Sequence, residues 1–292
     1  MRKPTRQPSQ GRSPLRSLIR HLLRDPLAMV GLILVVLIVG SAVLAPLLAP
    51  HDPNKLNVRY RLKGPSTAHF FGTDQLGRDV FSRVLMGSRI ALQVALVSIA
   101  IAGSCGLLLG MLAGYGPKWL DGAMIIFFDT IRSFPTIMFA LAVVTLVGPS
   151  LNTVILVVIV TSIPVYGRIV RTQTQALRNN DFIMAERAMG AGPARILGIH
   201  ILPNVIGPLL IIASMDIPVV VTIEAGLSFL GLGVRPPTAS WGTILNDGYA
   251  FIRNTPWLVI AGGAPLILTT LGFTFLGEAL RDVFDPKLRR VV

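Results

Sequence analysis

D-F-I-M-A-E-R-A-M-G-A-G-P-A-R-I-L-G-I-H-I-L-P, from Asp181 to Pro203, is a polar excursion between two strongly apolar stretches. Asn179, Asn180 and Asp181 are residue types whose side chains accept from the free N–H groups of a first helical turn, which predicts a short helix from about Phe182. On that helix Phe182, Ala185 and Met189 recur at i, i+3 and i+7 and share one face. Gly190 is the residue type that closes a helix in a left-handed cap, and Gly192-Pro193 opens the next helix. The stretch reads as a short amphipathic helix, a tight stop and a second helix re-entering an apolar phase.

The flanking sequence says which phase. The chain is 52% hydrophobic, has a mean hydropathy of +0.66 and is 14% charged, where a soluble domain carries about 25% charged residues. Its long charge-free runs are those of a multi-span membrane protein, and the expected fold is an all-α polytopic membrane protein with six transmembrane helices. The net charge of +13 fits a positive bias on the inner side of the membrane. No interleaved aromatic and basic pattern points to nucleic acid. Cys105, the one cysteine, lies in an apolar run and reads as packing.

Taken in order, residues 1–26 form a basic N-terminal tail with a candidate amphipathic helix at Leu15–Leu23. Residues 27–49 are a charge-free first anchor, longer than the ~7–15 residues of a signal-peptide core. Residues 50–89 are a polar external loop, in which Val80, Phe81, Val84 and Leu85 predict a helix lying along the membrane surface. Asp74, Arg78, Asp79 and Arg83 within it read as a local salt-bridged cap. Residues 90–280 supply five further spans: Ile90–Gly116, the stretch after Asp121 to Val147, Leu151–Val170, Asn204–Ile223 and Trp257–Gly277. The loop 172–203 interrupts them, and 281–292 is a cytoplasmic tail.

Within these spans Ala102, Gly106, Gly110 and Gly114 form a small-residue ridge for close helix packing. Asp129 and Arg132, at i, i+3 spacing, are expected to pair, and Ser133-Phe134-Pro135 to kink the third span. Carboxylates at membrane depth are functional candidates by default, so Asp216, Glu224 and Asp129 are the candidate pathway residues. The glycine-rich Glu224–Gly233 reads as a turn or half-inserted segment at the outer surface. With both termini inside, two thirds of the 27 Lys and Arg lie on the inner side, together with Asp181–Pro203.

The Asp181–Pro203 stretch resembles the cytoplasmic coupling loop of ABC-importer permeases: a short alanine-rich helix, Gly190 after its last turn, then Leu202-Pro203. Met184 stands where that loop has its glutamate, Glu186 at an alanine position and His200 where isoleucine is usual. F-G-T-D-Q-L-G-R-D (Phe71–Asp79), E-A-G-L-S-F-L-G-L-G (Glu224–Gly233), P-P-T-A-S-W-G (Pro236–Gly242) and the ending Gly277–Arg290 resemble segments of the dipeptide, oligopeptide and nickel permeases in particular. The resemblance covers the chain from about residue 15 and implies a type I ABC-importer permease fold. It places Phe182, Ala185, Glu186, Ala188, Met189, Gly190, Leu202 and Pro203 in the loop that docks on an ATPase. The partners implied are a homologous second permease, two ATP-binding cassette subunits and an external solute-binding protein. It implies a multi-pass protein of the bacterial inner membrane with both termini cytoplasmic, no cofactor beyond ATP held by the partners, and a peptide cargo, with glutathione or a nickel chelate as alternatives.

The residues exclude several other chemistries. No G-x-x-x-x-G-K-[ST] phosphate loop occurs, so ATP would bind another chain, and no H-E-x-x-H or cysteine pair supports a metal site. Gly226-Leu227-Ser228 invites an intramembrane serine hydrolase, but a serine nucleophile needs a base. His21, His51, His69 and His200 fall in the tail, loops or a helix end. The remaining rival is an ion-coupled secondary transporter or channel, against which stands the long organised loop.

Overall fold

Apolar chain at membrane depth must satisfy its backbone hydrogen bonds within each segment, which makes it helical. The computed structural model describes residues 25–284, and nine helices carry the described fold. They are α1 (Pro26–Leu48), α2 (Val80–Tyr115), α3 (Lys118–Arg132), α4 (Thr136–Val147), α5 (Leu151–Arg178), α6 (Asp181–Ala188), α7 (Pro193–Phe229), α8 (Trp241–Ala250) and α9 (Pro256–Phe284). The N-terminal tail with its Leu15–Leu23 helix, and the end from Asp285, lie outside the described residues.

Five helices, α1, α2, α5, α7 and α9, are long and apolar enough to cross a membrane, and α3 with α4, bent by 82°, makes a sixth when the pair is counted as one span. The break falls at the Ser133-Phe134-Pro135 kink, and it is sharper than a kink. Proline disfavours helical conformation in the residue before it, and α4 restarts directly after Pro135.

Two boundaries differ from expectation. The surface helix of the 50–89 loop and the span from Ile90 are one continuous 36-residue α2. At 1.5 Å per residue it measures roughly 54 Å, beyond the ~30 Å hydrocarbon core, so its first turns rise past the lipid without a separate element. Glu224–Phe229 continues α7, and the turn starts only at Leu230. A glycine inside a helix costs only ~1 kcal/mol, and α8, packed against this end of α7, offsets it. The short helix at that end of the bundle is α8 itself, which begins after P-P-T-A-S with a reciprocal Ser240–Thr243 capping box.

The most extensive helix pairing is α2 against α5, and the small-residue ridge makes it. A Cβ on Gly106 would lie 2.6 Å from the Tyr166 Cβ, and one on Gly110 would lie 2.5 Å from the Gly167 carbonyl oxygen. Gly114 sits equally close to Thr174. On the far side of α5, Phe128 of α3 lies against Gly167 and is fully buried.

At the end of the bundle opposite α6, the 49–79 loop folds back on α2 and α8. The Asp79 carboxylate caps α2, accepting from the Ser82 N–H at 2.8 Å and the Ser82 hydroxyl at 2.7 Å. Asp74 accepts from Arg78 Nε at 2.6 Å and lies 3.5 Å from Arg83. The expected local cap is therefore present, and it reaches further: Arg78 also lies 3.6 Å from Asp247 on α8. Burial pushes the Asp247 carboxyl above the ordinary carboxylate range, while Gln75 and the two arginines pull the other way.

Replacing Gly110 by Leu forces α2 and α5 apart, at a cost of about 1–3 kcal/mol or more for overpacking. A lower thermal unfolding temperature of the solubilised chain reads this out. Gly103→Ala, where a Cβ meets nothing within 4 Å, leaves that temperature unchanged.

Candidate functional site

Eight residues are too few for a helix to persist alone, so α6 depends on its anchors. Ile183 is its one buried side chain, packed with Tyr166 and Val170 of α5 and with Ile196, Ile201 and Val205 of α7. At its end the Ala191 N–H donates to the Glu186 carbonyl at 2.9 Å and the Gly190 N–H to the Arg187 carbonyl at 2.9 Å. With Gly190 at φ +88°, this is a complete Schellman cap, the stop expected from the glycine. The Arg187 guanidinium lies 4.9 Å from the Tyr115 ring centroid at the end of α2. Arg178 donates to the carbonyls of Tyr115 and Gly116 at 3.1 and 3.0 Å.

The opposite face of α6 is bare. Phe182 is 45% exposed, Met184 51% and Met189 74%, with Ala185 and Ala188 exposed between them. The predicted Phe182/Ala185/Met189 face is thus the outward one. Ile183, which holds the helix, was missed because a single buried residue flanked by the apolar Phe182 and Met184 makes no periodic signal.

Glu186 and His200, the two positions at odds with the resembled pattern, meet: His200 Nε2 lies 3.5 Å from Glu186 Oε1 and both side chains are about one-fifth exposed. His200 sits in a π-helical stretch, Ile196–Ile201, that opens α7. Leu202, half-buried against the inner core, follows it, and the exposed Pro203 removes one N–H from the ladder there.

The candidate carboxylates separate. Asp216, half-buried on α7, opens on a cleft of about 210 Å³ with Arg132, Thr136, Thr161 and Ser162. Arg132 ends α3 and Thr136 begins α4, so the α3–α4 break lies at this cleft. Asp129 pairs with Arg168 across to α5 rather than with Arg132. Crossing α5 turns that side of α3 toward a partner better placed than its own next turn. Asp121 is likewise held by Arg171 and by Gln175 at 3.1 Å. Glu224 is fully buried against α8 and does not open on the cleft; Ser228 donates to its Oε1 at 2.7 Å. Ser228 therefore has a carboxylate acceptor one helical turn back, and among the described residues no histidine hydrogen-bonds to it.

Five or six apolar crossings, a polar cleft between three of these segments and an organised loop at one end define a polytopic membrane protein. Residues 106–290 match the family model of the binding-protein-dependent transport system inner membrane component, and residues 13–65 match the N-terminal transmembrane domain of oligopeptide transport permease C. The chain belongs to this family of ABC-importer inner-membrane permeases. It is 39% identical to the dipeptide transport system permease protein DppC of Alkalihalophilus pseudofirmus, over 95% of this chain and 91% of that one. It is also 39% identical to the glutathione transport system permease protein GsiD of Pectobacterium atrosepticum, over 95% and 93%. A structure of the MetNI methionine ABC transporter in an inward-facing conformation superposes with a TM-score of 0.57 at 22% identity, over 70% of this chain and 97% of that one. That likeness is one of fold.

If Glu186 and His200 act as a pair, Glu186→Ala and His200→Ile each lower the unfolding temperature, and the double replacement costs less than their sum, with a coupling of about 0.5–1 kcal/mol. A double-mutant cycle in thermal unfolding measures it.

Proposed function

We propose that this chain is one half of the transmembrane pathway of an ATP-driven peptide importer, and that α6 is the helix on which a separate ATPase subunit docks. The observation that carries the reading is the bare apolar face of α6, with Met189 74% exposed, on a helix whose other face is tied into three spans. An exposed apolar patch on an otherwise organised element is the mark of an interaction surface. Gly190, Leu202 and Pro203 shape the loop that presents it. The pathway is the cleft at Asp216, completed by a homologous second permease. Both termini and α6 face the cytoplasm, where two ATP-binding subunits sit; an external solute-binding protein delivers cargo at the 49–79 end. The dipeptide and glutathione relatives support a small peptide as that cargo.

ATP would drive transport only if α6 binds the ATPases differently in the inward-open and outward-open states, because a ligand shifts an equilibrium by its differential affinity alone. The deciding measurement is ATPase activity of the reconstituted complex with and without binding protein and dipeptide. Stimulation by the loaded binding protein supports the reading. Flux that ignores ATP, with no ATPase subunit co-purifying, replaces it with ion-coupled transport.

Ala185→Glu puts a charge in the docking face, and uptake falls to background while membrane insertion and the unfolding temperature stay as in the parent. Asp216→Asn keeps the shape of the cleft and removes its carboxylate; uptake slows while assembly with the ATPases is retained, as read by co-purification.

A further inference from the structure

No metal-ligand spacing is legible in the sequence, because His51, His69 and Asp79 lie apart along the 49–79 loop and its junctions with α1 and α2. The fold brings them together. Each offers a ligand atom, and these atoms lie within 4.8 Å of one another. The two imidazole rings have centroids 4.8 Å apart and are tilted by 40°.

One nitrogen of each ring is engaged by an oxygen acceptor. His69 Nδ1 lies 2.8 Å from Asp79 Oδ1, and the Asp79 side chain is 1% exposed. Asp79 also accepts twice from Ser82, so it is an acceptor toward His69, whose Nδ1 carries the proton. His51 Nε2 lies 2.8 Å from the Ala68 carbonyl oxygen, which can only accept, so the proton sits on Nε2. In the neutral rings these contacts put the protons on His69 Nδ1 and His51 Nε2, so that His69 Nε2 and His51 Nδ1 carry the lone pairs. Metal-binding histidines almost always donate their second nitrogen to a carboxylate or a backbone carbonyl, and here one ring does each. The supports are built in. Ser66 accepts from the His69 N–H at 3.1 Å and fixes the turn that carries both Ala68 and His69. The His51 N–H donates to Ser82 Oγ at 3.2 Å.

We propose that His51 and His69 form a binding site for a divalent transition-metal ion of the imidazole-preferring class, with Asp79 orienting the His69 ring. Two protein ligands leave further positions to water. The ion joins the end of α1 to the start of α2 on the face that the proposed orientation puts outside the cell.

The test uses the full-length chain in nanodiscs, without a polyhistidine tag and stripped with chelator, titrated with Zn²⁺ by calorimetry and with Co²⁺ by visible absorption. The proposal expects one saturable equivalent, ligand-field bands with Co²⁺ and a higher unfolding temperature with Zn²⁺. His51→Ala and His69→Ala each lose all three, while His21→Ala keeps them. Asp79→Asn weakens Zn²⁺ binding by about 10- to 100-fold, the range of outer-shell partners. His51 is exposed, so its replacement leaves the fold intact, and that variant decides even if His69→Ala or Asp79→Asn fails to fold. Undiminished binding in His51→Ala, or no saturable binding to the parent chain, overturns the site.

Discussion

How closely α2 can approach α5 determines the α6 end of this molecule. In lipid no hydrophobic force draws two apolar helices together, so association rests on packing and on interhelical polar contacts. Gly106, Gly110 and Gly114 remove the side chains that would hold the backbones apart, and Tyr166, Gly167, Val170 and Thr174 fill the space. That contact sets where α5 presents its other sides. One receives Phe128 and the paired Asp121 and Asp129 of α3. Another, with Val170, makes the inner core into which Ile183 of α6 inserts. The third span can break at Pro135 and stay in place because α3 is pinned to α5 by these ion pairs and by a buried ring.

The opposite end uses a different device. A buried arginine is tolerated only when paired and hydrogen-bonded, and Arg78 and Arg83, both nearly inaccessible, share Asp74 within the loop while Arg78 also reaches Asp247. The Trp241 indole donates to the Val84 carbonyl at 3.0 Å. The polar words of the 71–83 segment are thus a clasp between the entry of α2 and the start of α8, and that clasp also holds the histidine pair.

Hydropathy and residue type carried most of the architecture. The spans, the glycine ridge, the Gly190 stop and the outward apolar face of α6 are all local or periodic properties, and periodicity is visible in one sequence. What was hidden depends on which distant segment arrives. Asp129 takes Arg168 rather than its neighbour three residues on, Arg78 finds Asp247, and Glu224 turns out to be enclosed rather than facing the cleft. Helix ends were also misplaced where charge stops before helix does, as at α2, whose polar first turns looked like a separate element. Ile183 and the His51–His69 pair belong to the same class: single side chains whose importance comes from what packs on them.

The ties of α6 lead to different helices. Arg187 covers Tyr115 at the end of α2, Glu186 faces His200 on α7, and Ile183 reaches the α5 side of the inner core. The Schellman cap leaves little slack between α6 and α7. Under the proposed coupling, a force applied to the bare face of α6 has no floppy linker in which to dissipate. It must move α2, α5 and α7 together or break one of these contacts. The place where the helix ladder is already irregular is the π-helical turn before Pro203, within the span that carries Asp216. Under that coupling, rotation of α7 about the turn would swing Asp216 relative to Arg132 across the break between α3 and α4, and a displacement reaching the α6 loop would reshape the polar cleft.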